Sequence, residues 1–281
     1  MDGFRRKWIR FQSGAIITRG MMEELYSYPR DVVSAYSRQL SYGILTGLYF
    51  YAKDGKVWLG SGLIRFQDEI FRLSEDVCLT DLIESDKKIK GGEYLNLVLQ
   101  PDRSETPLEG VFQENLKFVI RPEKGDNREA FQLCGFYGGL PSILPNPAAE
   151  APEREYSLDS RFDILDTPWA AKREATFHPL VFEAFARSLA LATEKTALEY
   201  AMILELQAHG VLPMETLRFY IAEMLGQLSD LANRREIFKV ACQLARGKKP
   251  GSAPMTEHRR APEQKKLIEP PVFWNNFNPE D

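Results

Sequence analysis

Cysteine and histidine are both scarce, with three of each in 281 residues. Cys78, Cys134 and Cys242 stand far apart, which argues against a disulfide framework and against a zinc site built on paired cysteines. Each is expected as a small apolar residue in a reducing compartment. His178, His209 and His258 have no second histidine or cysteine at metal-ligand spacing. His178 precedes a proline at a helix start and reads as a cap or turn residue. His209 adjoins the helix-ending Gly210, where a charge interaction with the helix C-terminus accounts for it. Long apolar runs are also missing: none approaches the length that spans a bilayer, so no membrane insertion is expected. In the opening stretch MDGFRRKWIRFQSGAII, Arg10, Gln12 and Ser13 break the apolar residues before a signal-peptide core forms, and a cytoplasmic chain is the expectation.

Catalytic and cofactor motifs are equally thin. The glycine pairs Gly91-Gly92 and Gly138-Gly139 belong to no GxxxxGK[ST] loop, and no strand–GxGxxG–helix unit occurs. Gly60-Ser61-Gly62 is flanked by strands and is too short to cradle a nucleotide. Ser13 and Ser61 lack the GxSxG context of a nucleophile elbow. Asp159, Asp163 and Asp166 are near one another, and two such carboxylates do acid–base work in glycosidases when held at the right separation; exposure or capping is the plainer expectation here. No catalytic residue, cofactor or metal is therefore expected. The net charge of −4 argues against a surface that wraps nucleic acid as a whole.

The patterned segments are structural. Tyr28-Pro29-Arg30-Asp31 predicts a helix to about Leu40, with proline in its first turn and Val32, Val33, Tyr36 and Leu40 on one face. GILTGLYFYAKDGKVWLGSGLIRFQDEIFRL, from Gly43 to Leu73, predicts a β-meander: strands at Leu45–Tyr51, Lys56–Leu59, Leu63–Phe66 and Ile70–Leu73, with hairpin turns at Asp54-Gly55 and Gln67-Asp68. Tyr94 to Gln100 alternates as a strand. Leu116–Arg121 and Ala130–Phe136 read as a hairpin, and Phe162–Leu165 as one last strand.

The fold class expected is α+β. An N-terminal antiparallel β-sandwich or small barrel occupies residues 1–144, and a Pro/Ala-rich linker residues 145–160. An antiparallel helical bundle covers 161–246, and a disordered basic tail with an aromatic docking motif covers 247–281. In the bundle, one helix or two run from His178 to Ala208. After a short turn comes an antiparallel helix whose stripe of Leu217, Tyr220, Ile221, Met224, Leu225 and Leu228 forms the bundle core or an oligomer contact. A third helix carries Ile237, Val240, Ala241 and Leu244. In the tail, Phe273, Trp274 and Phe277 lie within five residues, as anchors for a partner's groove or for the chain's own body.

The Gly43–Leu73 stretch resembles the N-terminal adaptor domains of phage baseplate and tail-fibre proteins. The likeness rests on Gly43, Gly47, Leu48, Asp54, Gly55, Val57, Leu59, Gly62, Ile64 and Leu73. Gly20-Met21 and the helix after them look like the entry to the type VI secretion baseplate component TssK. That family sets a β-rich shoulder before a helical bundle and a receptor-binding head, is trimeric, and joins the baseplate to a membrane complex. The present chain departs from it after the bundle, where a short basic tail stands in place of a folded head. The resemblance implies a non-enzymatic structural component of a phage-tail-like baseplate, assembled into a particle with other baseplate or tail proteins, and a homo-oligomer (dimer or trimer). Two other readings stand beside it. One is a nucleic-acid-associated accessory protein acting through Lys248, Lys249, Arg259, Arg260, Lys265 and Lys266, whose binding would weaken steeply with salt. The other is a carbohydrate-binding or carbohydrate-hydrolysing β-domain.

Overall fold

The computed structural model describes residues 16–86, 91–102, 115–122, 129–139, 143–149, 151–155, 162–192, 194–226 and 233–247, with residues 14, 89 and 231 between them. The first element, helix α1 (Arg19–Ser37), starts well before the predicted Tyr28. Thr18 caps it, its hydroxyl oxygen accepting from the Met21 N–H at 3.3 Å. Pro29 thus lies inside the helix, not in its first turn.

The Gly43–Leu73 stretch folds as strands β1 (Gly43–Gly47), β2 (Phe50–Lys53), β3 (Lys56–Leu59), β4 (Gly62–Phe66) and β5 (Glu69–Leu73). Both predicted two-residue turns form: Asp54-Gly55 and Gln67-Asp68 all take positive φ, the geometry that matches strand twist in a tight hairpin. The simple meander does not form, because the expected first strand breaks at Gly47 (φ +67) and Leu48 (φ 53). Two successive left-handed residues turn the chain out of one sheet and into another. A Cβ on Gly47 would run into the Ser61 carbonyl and Gly62, so this corner needs glycine for space as well as for φ. As a result β1 joins a sheet of order β1-β4-β5. Strand β2 joins a sheet of order β2-β3-β6, where β6 is Val77–Cys78 and leads directly into helix α2 (Leu79–Ser85).

The third sheet has order β8-β7-β9, with β7 at Tyr94–Asp102, β8 at Asn115–Arg121 and β9 at Phe131–Tyr137. The predicted β8–β9 hairpin is replaced by antiparallel pairing of both strands with β7. The reason is burial: Leu95 through Leu99 are buried without alternation, and a strand buried on both faces belongs in the middle. The architecture among the described residues is α+β with three small antiparallel sheets. Among the described residues no sheet closes into a barrel.

The helical part comprises the single turn α3 (Pro152–Glu155), α4 (Pro179–Leu191), α5 (Ala197–His209), α6 (Met214–Leu225) and α7 (Arg234–Ala245). Helix α4 packs against α5 and α7, and α6 against α7. The expected antiparallel neighbours across the Gly210 turn, α5 and α6, pack less closely than α4 with α5 or α6 with α7. Helix α6 reaches α5 through Tyr220, whose hydroxyl donates to Glu199 Oε1 at 2.9 Å. The described residues of the stretch expected as a linker, 145–149 and 151–155, pack onto the body: Pro145 and Pro152 are buried, α3 lies against α4 and α7, and Glu153 pairs with Arg246.

One hydrophobic core joins sheets and helices. Its largest fully buried side chains include Phe66 and Phe131 from strands, Phe162 and Phe177 from the segment between, and Phe182, Phe185 and Tyr220 from helices. Each such aromatic contributes about 1.5–3 kcal/mol by leaving water.

Candidate functional site

The seam between sheets and helices is an extended strap, residues 162–178. Where a last strand was expected at Phe162–Leu165, a single bridge forms: Asp163 and Gly135 of β9 exchange backbone hydrogen bonds at 2.7 and 2.8 Å. Further along, the Pro168 carbonyl accepts from Ile44 N–H at 2.9 Å, and Ala170 N–H donates back to the Ile44 carbonyl at 2.8 Å. The Ala171 carbonyl accepts from Ser41 N–H at 2.8 Å. The strap is therefore sewn to both β9 and β1. On the helical side Thr176 Oγ1 donates to the Leu212 carbonyl in the α5–α6 turn. Arg234, from the first turn of α7, donates to the carbonyls of Thr176 (2.7 Å), Ala175 (3.1 Å) and Leu165 (3.3 Å). Its guanidinium also lies 4.7 Å from the centre of the Phe177 ring.

Asp163 and Asp166, two of the acid–base candidates, are held by the strap on either side of one arginine. Arg235 Nη2 pairs with Asp163 and, at 2.9 Å, with Asp166. The Tyr94 hydroxyl donates to Asp163 Oδ2 at 3.0 Å, and Leu165 N–H to Oδ1 at 3.1 Å. Burial pushes the Asp163 carboxyl up against the pull of Arg235. Burial would lower Arg235, but the two carboxylates outweigh it and raise it. Both oxygens of Asp163 are engaged by protein donors, so the cluster holds the strap to β9 and α7. Gly135 makes room for it, since a Cβ there would overlap the Tyr94 ring.

His178 ends the strap as the N-cap of α4, the role its sequence context predicted. Its Nδ1 accepts from Leu180 N–H at 3.1 Å, and Nε2 lies 3.4 Å from the Leu48 carbonyl. These partners select the neutral tautomer with the proton on Nε2. Trp169 and Phe50 meet the ring edge-on at 5.3 Å. Burial brings its pKa down to about 4, against the Leu48 carbonyl. In the helices, Glu199 is buried but closes a capping box with Thr196 and accepts from Tyr220. Cys134 and Cys242 are buried free thiols, pushed up by burial. Among the described residues no group of three or more His, Cys, Asp or Glu is placed to hold a metal ion.

The chemistry-bearing side chains thus turn inward, and large apolar ones turn outward on two helices. On α1, Met22, Leu25, Tyr26, Val32, Val33 and Tyr36 are between 42 and 77% exposed. They fall at helical spacing on one face. The body touches this helix elsewhere: Ser37 is buried and Ser34 half-buried. On α5, Tyr200 and Leu204 face solvent, with Leu191 at the end of α4 and Phe219 on α6, all between 57 and 73% exposed. Helix α5 is apolar nearly all round, and only Glu199, Met202 and Leu206 of it are buried.

Of the stripe expected on α6, Leu217, Tyr220 and Ile221 are buried, Leu225 packs against the core, and Met224 is exposed. Leu228, Phe273, Trp274 and Phe277 lie outside the described residues, as do Asp159 and the basic tail. The α1 face is hidden in the sequence because Pro29 reads there as a helix start. The signal was present in Met22, Leu25 and Tyr26, which continue the spacing of Val32, Val33 and Tyr36 upstream, behind the capping Thr18. No family model matches the chain, and neither a curated protein nor a solved structure matches it.

Proposed function

We propose that this chain is a non-enzymatic assembly protein, a structural component of a phage-tail-like baseplate that links neighbouring components and itself forms a homo-oligomer. The observation that carries the reading is the contrast between interior and surface. The buried Asp163, Glu199 and His178 and the half-buried Arg235 are bonded to protein partners, while α1, and α5 through Tyr200 and Leu204, present large apolar side chains to solvent. Contiguous exposed apolar surface marks protein–protein contact, and a body stitched by its own polar residues suits a part that positions neighbours. The resemblance of the Gly43–Leu73 sequence to the adaptor domains of baseplate proteins supports the same reading.

The test is incorporation. In cells making a contractile or tail particle with a tagged version of the chain, the tag should co-sediment with assembled particles. Leu204→Glu with Tyr200→Glu, on the α5 face, should leave the fold intact and the tag in the free fraction. A wild-type chain absent from particles, in cells whose particles assemble without it, overturns the reading.

A further inference from the structure

The geometry points to α1 as a self-pairing helix: its apolar face takes the α1 of a second copy, antiparallel, in a single register. This deepens the assembly reading above and rests on it for a role, but not for its physics. The exposed residues Met22, Tyr26, Pro29, Val33 and Tyr36 are spaced four, three, four, three along the helix, the alternation of a coiled-coil seam. Leu25 and Val32 widen the seam on one flank. Glu23 and Arg30 border it on the other, both exposed.

Those two charges choose the partner's direction. In an antiparallel pair, equivalent flanks of the two helices face each other, so the Glu23–Arg30 flank meets itself. With Tyr26 packed beside Pro29 of the second copy, and Met22 beside its Val33, each Glu23 lies opposite an Arg30. On the other flank Leu25 meets Val32. At the ends Arg19 lies over Tyr36 of the second copy, the geometry of a cation–π contact. Sliding one heptad either way sets Glu23 against Glu23 or Arg30 against Arg30, which is repulsive. A parallel pair would face Arg30 with Leu25 and gain no charge contact. The favoured register also overlaps the two helices almost end to end, over about 28 Å at 1.5 Å per residue.

The existing contacts permit the exchange. Arg30 reaches Glu69 of β5 at 3.6 Å, and Glu23 reaches Arg19 at 2.7 Å, both between exposed side chains. Exposed pairs of this kind hold their partners weakly. The body meets α1 near its C-terminal end, at Ser34 and Ser37.

The experiment is sedimentation equilibrium of the full chain over a micromolar concentration series. The wild type should dimerise and Val33→Glu should remain monomeric, with unchanged thermal unfolding of the body. Glu23→Arg alone and Arg30→Glu alone should each weaken dimerisation about tenfold, because both flanking pairs of the dimer turn from attraction to repulsion. An equimolar mixture of the two variants should pair as tightly as wild type, since every Arg then faces a Glu. A monomeric wild type, or a mixture no tighter than its components, overturns the proposal. Particle incorporation that persists in Val33→Glu would leave the assembly reading standing while self-pairing proved dispensable to it. A dimer that never enters particles would uphold self-pairing and overturn the assembly reading.

Discussion

Replacing His178 by asparagine should flatten the acid limb of the protein's stability profile. In the fold the imidazole is fully buried, neutral, and titrates near pH 4, whereas the ordinary value is 6.5. The unfolded chain therefore binds a proton at this residue between those pH values that the folded chain does not. Stability contributed by the neutral ring is complete above pH 6.5, declines as the pH falls, and is lost by about pH 4. At about 1.36 kcal/mol per unit, the difference amounts to about 3 kcal/mol. Asparagine is a good N-cap, and its Oδ1 can take the place of Nδ1 in accepting from Leu180 N–H, but it carries no titrating group. The variant will be less stable at pH 7, because it leaves a gap among Phe50, Trp169 and Tyr49. The decisive quantity is the change between pH 7 and pH 4 in urea unfolding free energy. Every other titrating group is common to both proteins and cancels in the comparison. The wild type should lose about 3 kcal/mol more than the variant over that interval. Parallel profiles would refute the reasoning, as would a proton NMR titration placing the His178 ring near pH 6.5 in the folded protein.

Two further substitutions probe the seam, and a third the contact between α6 and α5. Gly135→Ala drives a methyl group into the Tyr94 ring and should cost about 1–3 kcal/mol in chemical unfolding; the cost should largely vanish in a Tyr94→Ala background, and an unchanged cost there would show that the clash is not with Tyr94. Arg235→Met strands the buried Asp163 carboxylate and should cost about 3–5 kcal/mol, whereas Arg235→Met with Asp163→Leu should recover most of it; a double variant no more stable than the single one contradicts the pairing. Tyr220→Phe removes a hydroxyl that donates to buried Glu199 and should lower stability by about 1.5–3 kcal/mol, an effect absent if water already satisfies the carboxylate.

Features governed by neighbours in the chain were legible in the sequence. The Asp54-Gly55 and Gln67-Asp68 turns, the His178 cap and the buried face of α7 each depend on a few adjacent residues, and each formed. Features decided across the fold were not. Residues 162–178 read as little more than one short strand, because they form no ladder: their partners are isolated groups at Gly135, Ile44, Ser41 and Leu212, far apart in the chain. Strand β7 looked like any alternating strand, and only burial on both faces made it central. The split between β1 and β2 falls at Gly47 and Leu48; the lone glycine was its one sequence signal, and Leu48, a residue type that seldom takes φ of 53, gave none. The α1 face was readable but masked by Pro29, whose usual place in a first turn outweighed the apolar spacing on both sides of it.

The strap also explains why polar residues sit in this seam at all. Replacing a buried ion pair with well-packed apolar side chains is often neutral or stabilising, so Asp163 and Arg235 are not accounted for by stability alone. Their effect is on register. Shifting the strap by one residue along β9 would carry Asp163 away from Tyr94 and Arg235, and would point the Arg234 guanidinium away from the carbonyls of Ala175 and Thr176. Each misfit strands a charge or a donor in the interior, at a cost an apolar seam would not impose. The neighbouring helices are anchored accordingly: the root of α1 meets the middle of the strap at Leu40–Lys172 and Ser41–Ala171, and α4 begins where the strap stops at His178. The helix carrying one exposed apolar face and the helices carrying the other are thus placed by the same polar stitches. Under the proposed assembly role this property matters, because two faces that dock partners would be useful only at a fixed spacing. The double variant of Asp163 and Arg235 consequently separates the two roles: it should retain stability while losing the single strap register, seen as broadened amide resonances over residues 162–178.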